Sequence, residues 1–313
     1  MRIIPSITLL ALAALVAGCG SDDAKKTKPS SGSSGDEPTK VVAAFYPLAW
    51  IAEEVGGDNV EVHNLTPPGV EPHDLELSPK DVAAIEQADV VLYLGHGFQP
   101  SVEDAAKNSD AKKVDVLELD GIDLNDPVEG DEHADEGGGE GEAAGEAVLD
   151  VDPHVWLDPT RLATITKSIG SALDADDSAT LDALEQLDSD FEAGLKTCER
   201  REIFTSHAAF GYLANRYDLE QVAISGLSPE AEPLPQDLKR VADEARERGA
   251  TTIYFETLVS PKLAKQVAKE IGAKAAVLDP IEGIAQDRLN NGTDYLDVMR
   301  ENLDALRTGL ACT

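Results

Sequence analysis

The chain has 313 residues, with 60 Asp and Glu against 26 Lys and Arg and a formal net charge of −34. A charge of that sign repels phosphate backbones and excludes nucleic acid as a natural partner, while a hydrophobic fraction of 42% excludes wholesale disorder. Three cysteines, Cys19, Cys198 and Cys312, are too few for a disulfide scaffold and form no CxxC zinc knuckle.

Residues 1–18, MRIIPSITLLALAALVAG, place one Arg ahead of an apolar run from Ile3 to Val16. That run is short for a membrane span, which needs about 20 residues, and fits the apolar region of a secretory signal. Val16-Ala17-Gly18-Cys19 resembles the lipobox of bacterial lipoproteins. The resemblance implies that Cys19 is lipidated and becomes the first mature residue; an ordinary signal with a chance Cys is the alternative. Residues 19–40 follow as a tether rich in Ser, Gly, Pro and charge, too poor in apolar surface to fold. The expected location is extracytoplasmic, on a flexible leash anchored in the membrane.

From residue 41, β-rich runs alternate with helical stretches. VVAAF (41–45) precedes a helix near 48–55, and VEVHNL (60–65) a helix near 78–88. VVLYLG (90–95) leads to a helix near 100–108 and then to VDVLEL (114–119). A mostly helical stretch, 161–196, is interrupted by DADD at 174–177. The alternation then restarts with REIFTS (201–206), a helix from 208, LEQVAI (219–224) and a helix near 235–249. TTIYFE (251–256), a helix near 261–271, AKAAVL (273–278) and a helix near 294–309 complete it. Such alternation predicts an α/β fold with parallel strands and crossover helices, in two halves. The boundaries are a first lobe at 41–159, a helical connector at 160–198 and a second lobe at 199–313. A cleft between two lobes is a common place for a ligand. Residues 129–146, with eight acids and six glycines, break the pattern and read as a surface insertion, either a solvated loop or a loose cation collector.

Four potential ligands stand at strand ends or in Pro-bracketed loops, where α/β sheets present such groups. His73 lies in LTPPGVEPHDLELSP, His154 in DVDPHVWLDP, His207 at the end of IFTSH, and Asp279 before Pro280. Their separations make no local metal motif, and a His taken singly is more often a capping or hydrogen-bonding residue than a ligand.

The segments PGVEPHDLELSPKDV, DPHVWLDP, SHAAFGYLANRYDLEQVAISGLSPEAEP, IYFET and VLDP occur in this order. Together they closely resemble the metal-binding solute receptors of ABC transporters, the ZnuA/TroA type, from about residue 40 to the C-terminus. The resemblance implies two α/β lobes joined by a long backbone helix, with the metal bound in the cleft between them. It carries the metal ligands to His73, His154, His207 and Asp279. The loop before the second ligand is often His-rich in zinc receptors, whereas here it holds only His133 among acids.

Three imidazoles and a carboxylate suit tetrahedral Zn²⁺ better than the harder Mn²⁺, and manganese members of the family typically carry Glu where His207 stands. Asp152, Asp158 and Glu256 are candidates to orient the imidazoles. His63 reads as a structural strand residue, His96 stands near the expected cleft, and Trp50 and Trp156 read as packing groups. Cys198 and Cys312 both fall in the second lobe of an exported chain and can pair, with two free thiols as the alternative. The implied function is a non-enzymatic, monomeric receptor that delivers Zn²⁺ to a permease and its ATPase. A manganese or iron receptor and a surface adhesin are the alternatives within the family. A zinc hydrolase would need an open coordination position, and no HExxH is present.

Overall fold

Short β-branched runs, each followed by a helical segment, build two parallel sheets. The computed structural model describes residues 37–73, 75–125, 149, 151–231 and 233–313. The signal, Cys19, the tether up to residue 36 and the acidic loop at 129–146 with His133 lie outside the described residues. Strands β1 (Thr39–Ala43), β2 (Val60–Asn64), β3 (Val90–Tyr93) and β4 (Lys112–Asp115) form the first sheet in the order β2-β1-β3-β4. Strands β5 (Glu202–Thr205), β6 (Glu220–Ala223), β7 (Thr252–Phe255) and β8 (Lys274–Val277) form the second in the equivalent order β6-β5-β7-β8. Every pairing is parallel. In each sheet the order reverses between the first and third strands, so the loops leaving their C-terminal ends diverge and open a crevice.

Helices α1 (Tyr46–Gly56), α2 (Pro79–Glu86) and α3 (Pro100–Asn108) connect the first sheet. α6 (Gly211–Arg216), α7 (Pro235–Glu247) and α8 (Lys262–Ile271) connect the second. Between them run α4 (Pro159–Leu173) and α5 (Ser178–Leu195), packed against each other. Asp174 ends α4 in the left-handed conformation at φ 53°, and Asp176 accepts the Ser178 N–H where α5 begins, so DADD separates the two. α5 is the longer; it leans on α4 from one side and on α10 (Tyr295–Gly309) from the other, and so carries the chain between lobes. The short helix α9 (Gln286–Asn290) precedes α10.

One strand differs from expectation. VDVLEL does not continue as a strand: β4 pairs only Lys112–Asp115 with β3. The Asp115 carboxylate then accepts the N–H groups of Gly95 and Leu117, turning Val116–Glu118 into a 3-10 turn.

A continuous core runs from Val41, Val91 and Leu92 of the first sheet through Trp156, Leu187 and Phe191 to Tyr254 and Tyr295 of the second half. A separate cluster of Phe204, Val241, Ile253 and Val267 lies under α7 and α8. Bonds also tie the lobes directly. Tyr295 donates its hydroxyl to Trp156 O at 2.6 Å, and its ring stacks on Trp50 with centroids 4.9 Å apart. Cys198 and Cys312 form a disulfide that fastens the end of α5 to the chain's last residues. Among the described residues no helix is long and apolar enough to cross a membrane.

Candidate metal site

Three of the predicted ligands meet. His73 arrives on the Pro-rich loop after β2, His154 just before the turn that starts α4, and His207 directly after β5. The fourth side chain that meets them is Glu282, which follows β8, and not Asp279. Asp279 is occupied elsewhere. Its Oδ2 accepts the Thr257 hydroxyl at 2.8 Å and its Oδ1 accepts the Ile281 N–H at 2.8 Å. A short Asp side chain right after a strand caps its own turn, whereas a Glu three residues later reaches past it. The string DPIEG held that signal, an acid on the far side of a Pro turn with Gly after it.

Glu282 Oε1 lies 3.1 Å from His73 Nε2, 3.3 Å from His154 Nε2 and 3.4 Å from His207 Nε2. The His154 and His207 Nε2 atoms are 3.4 Å apart. Four ligand atoms about 2.0–2.1 Å from one ion in a tetrahedron would be separated by roughly 3.3 Å. All four side chains are at most 6% exposed. Glu282 Oε2 is buried without a hydrogen-bond partner.

Outer carboxylates fix two of the rings. His154 Nδ1 is 2.8 Å from Asp152 Oδ1, which also accepts the His154 backbone N–H. His207 Nδ1 is 2.9 Å from Glu256 Oε1. Asp158, the third candidate for this task, instead caps α4 through Thr160 and pairs with Arg161. His63 pairs with Asp81 and His96 with Glu118, and neither joins the cluster. Trp156 packs beside the site and donates its indole N–H to Pro280 O at 2.7 Å.

His154 and His207 thus each face a carboxylate from both ring nitrogens, although a neutral imidazole has one N–H. Such an arrangement calls for positive charge, either on the rings or between them. Burial pulls the His154 ring down, but Asp152 and Glu282 outweigh it and the net direction is up. Burial likewise opposes the His207 cation, yet the charges of Glu256 and Glu282 hold that ring well above the usual imidazole value. For Glu282, burial raises, but the three histidines win and hold it well below the ordinary carboxylate range. For His73, burial outweighs the hydrogen bond and charge of Glu282, and the net direction is down. Burial also pushes Asp279 up.

Residues 41–309 match the family described as ZnuA, zinc-uptake complex component A periplasmic. The high-affinity zinc uptake system protein ZnuA of Bacillus subtilis (strain 168) is 37% identical over 308 residues, covering 95% of this chain and 94% of that protein. The zinc-binding protein AdcA of Streptococcus pyogenes serotype M6 is 34% identical over 293 residues, or 86% of this chain; the chain spans 55% of AdcA's length. The laminin binding protein Lmb of Streptococcus agalactiae, described as bifunctional with adhesin and metal transporting activity, matches in structure with a TM-score of 0.72. It is 30% identical, over 88% of this chain and 100% of Lmb. Two equivalent parallel sheets, a buried three-His cluster between them and a family match across nearly all of the described residues lead to one assignment: the chain belongs to the ZnuA family.

Proposed function

We propose that this protein captures Zn²⁺ outside the cytoplasm and delivers it to an ABC-type importer, a permease driven by its ATPase. The observation that carries this reading is the convergence of three imidazole nitrogens on one carboxylate oxygen, at spacings that suit a tetrahedral ion. The ligands would be His73, His154, His207 and Glu282, with Asp279 holding the turn behind Glu282. Their summed charge of −1 leaves a divalent cation one positive charge. A nitrogen-rich set favours Zn²⁺ over Mn²⁺. Catalysis by the bound ion would need an open position for water, and Glu282 closes the shell, which supports a receptor over a hydrolase.

Lipidation at Cys19 would keep the receptor, as a monomer, near its permease. The lobes would span 41–159 and 199–313, with 160–198 connecting them. Likeness to Lmb favours an additional adhesin role, which binding of laminin by the purified protein would establish. The test of the main reading is growth of a deletion strain under zinc limitation. The wild-type gene should restore growth and a His207→Ala gene should not. Equal rescue by both genes, or rescue by manganese alone, would overturn the reading.

A further inference from the structure

Ile281, immediately before Glu282, lies in the left-handed region at φ 57°. That conformation is costly for any L-residue and exceptional for a β-branched one. Its side chain is fully buried. The turn around it is held from both lobes. Asp279 Oδ1 accepts the Ile281 N–H at 2.8 Å, and Trp156 donates to Pro280 O at 2.7 Å. Asp279 is itself fixed: Asn302 accepts its N–H at 2.8 Å and donates to its carbonyl at 2.7 Å. On the far side Gly283 closes against the loop that carries His73, so tightly that a Cβ there would stand 3.3 Å from Val70 O. Strained backbone of this kind persists only where its surroundings over-determine it, and it clusters at ligand clamps.

We propose that Ile281 is a positioning residue: its left-handed backbone aims Glu282 Oε1 at the three imidazoles, and its buried side chain, with Asp279 and Trp156, keeps the turn in that state. A right-handed residue 281 would send the following peptide, and Glu282 with it, in another direction. The three histidines would then hold the ion without their fourth ligand. The inference rests on the cluster being the zinc site.

The experiment compares Ile281→Ala with Ile281→Gly, measuring zinc affinity by competition with a chromophoric chelator. Both variants delete the buried side chain. Alanine keeps the penalty for the left-handed state, and glycine does not. Glycine should therefore bind zinc about tenfold more tightly than alanine. A side chain that only filled the core would move the unfolding temperature in both and leave their zinc affinities alike. Equal affinities, or glycine as the weaker binder, would overturn the proposal. Should either variant fail to fold, Asp279→Ala and Asp279→Asn serve instead. The amide oxygen of Asn can still accept the Ile281 N–H, so Asn should bind zinc about tenfold more tightly than Ala; equal loss in both would sink the idea. A wild-type protein that takes up no zinc would refute the zinc reading itself, whereas wild-type binding with no difference within a pair refutes only the role of the turn.

Discussion

The rings of His154 and His207 are where the chemistry of capture is decided. Each has a carboxylate at Nδ1 and another at Nε2, an arrangement that favours the protonated ring when no cation lies between them. On the proposed assignment, a zinc ion would take the place of a proton at Nε2 and leave the Nδ1 contacts to Asp152 and Glu256 intact. The sign follows from the directions of the shifts. His207 is held well above the usual imidazole value and His154 is shifted the same way, both toward the protonated ring, whereas His73 is shifted toward the neutral ring and Glu282 toward the carboxylate. Zinc binding at neutral pH should therefore release roughly one to two protons, and affinity should fall as pH falls. Calorimetry in two buffers of different ionisation heat counts the protons; a binding heat independent of buffer would contradict this account. The choice of acid belongs to the same scale. Asp279 and Glu282 both follow β8, and only three-dimensional placement separates the one that caps its own turn from the one that joins the three histidines.

At the scale of elements, much was legible because the physics is local. Short apolar runs marked the eight strands of the described residues within a few positions, and Pro-bracketed loops marked the segments that carry His73 and His154. What escaped depended on partners distant in sequence. The end of β4 is set by the Asp115 side chain reaching back to Gly95, and the orientation of Glu282 by Trp156 and Asn302. Asp158 was open to misreading as a histidine partner because an acid before a helix serves equally well as an N-cap. The disulfide between Cys198 and Cys312 fastens α5 to the chain's end across a sequence separation of 114. Replacing both cysteines with Ser should lower stability by about 2–5 kcal/mol, since a loop that long restricts the unfolded chain strongly. Neither cysteine touches the cluster, so zinc affinity should stay within a few-fold. Denaturant unfolding of the metal-free pair of proteins, alongside a zinc titration, checks both halves; unchanged stability would show that the bridge does not constrain the unfolded ensemble.

At the scale of the molecule, a continuous core reaches from the first lobe into the second, beside the second lobe's own cluster under α7 and α8, and direct bonds cross between the lobes. Tyr295 bonds Trp156, Trp156 bonds Pro280, and Tyr212 donates to Asp152 O at 2.7 Å. The cluster is therefore built by a joined frame whose halves each supply two of its side chains: His73 and His154 from one, His207 and Glu282 from the other. The net charge of −34 favours cations over anions near that frame. The central claim is that three imidazoles and one carboxylate enclose a single zinc ion. X-ray absorption at the zinc edge of the protein loaded with one equivalent tests it most directly. The account predicts four light-atom ligands at about 2.0–2.1 Å, with the outer-shell scattering of three imidazoles and no sulfur near 2.3 Å; a six-atom shell, or scattering from fewer than three imidazoles, would contradict it.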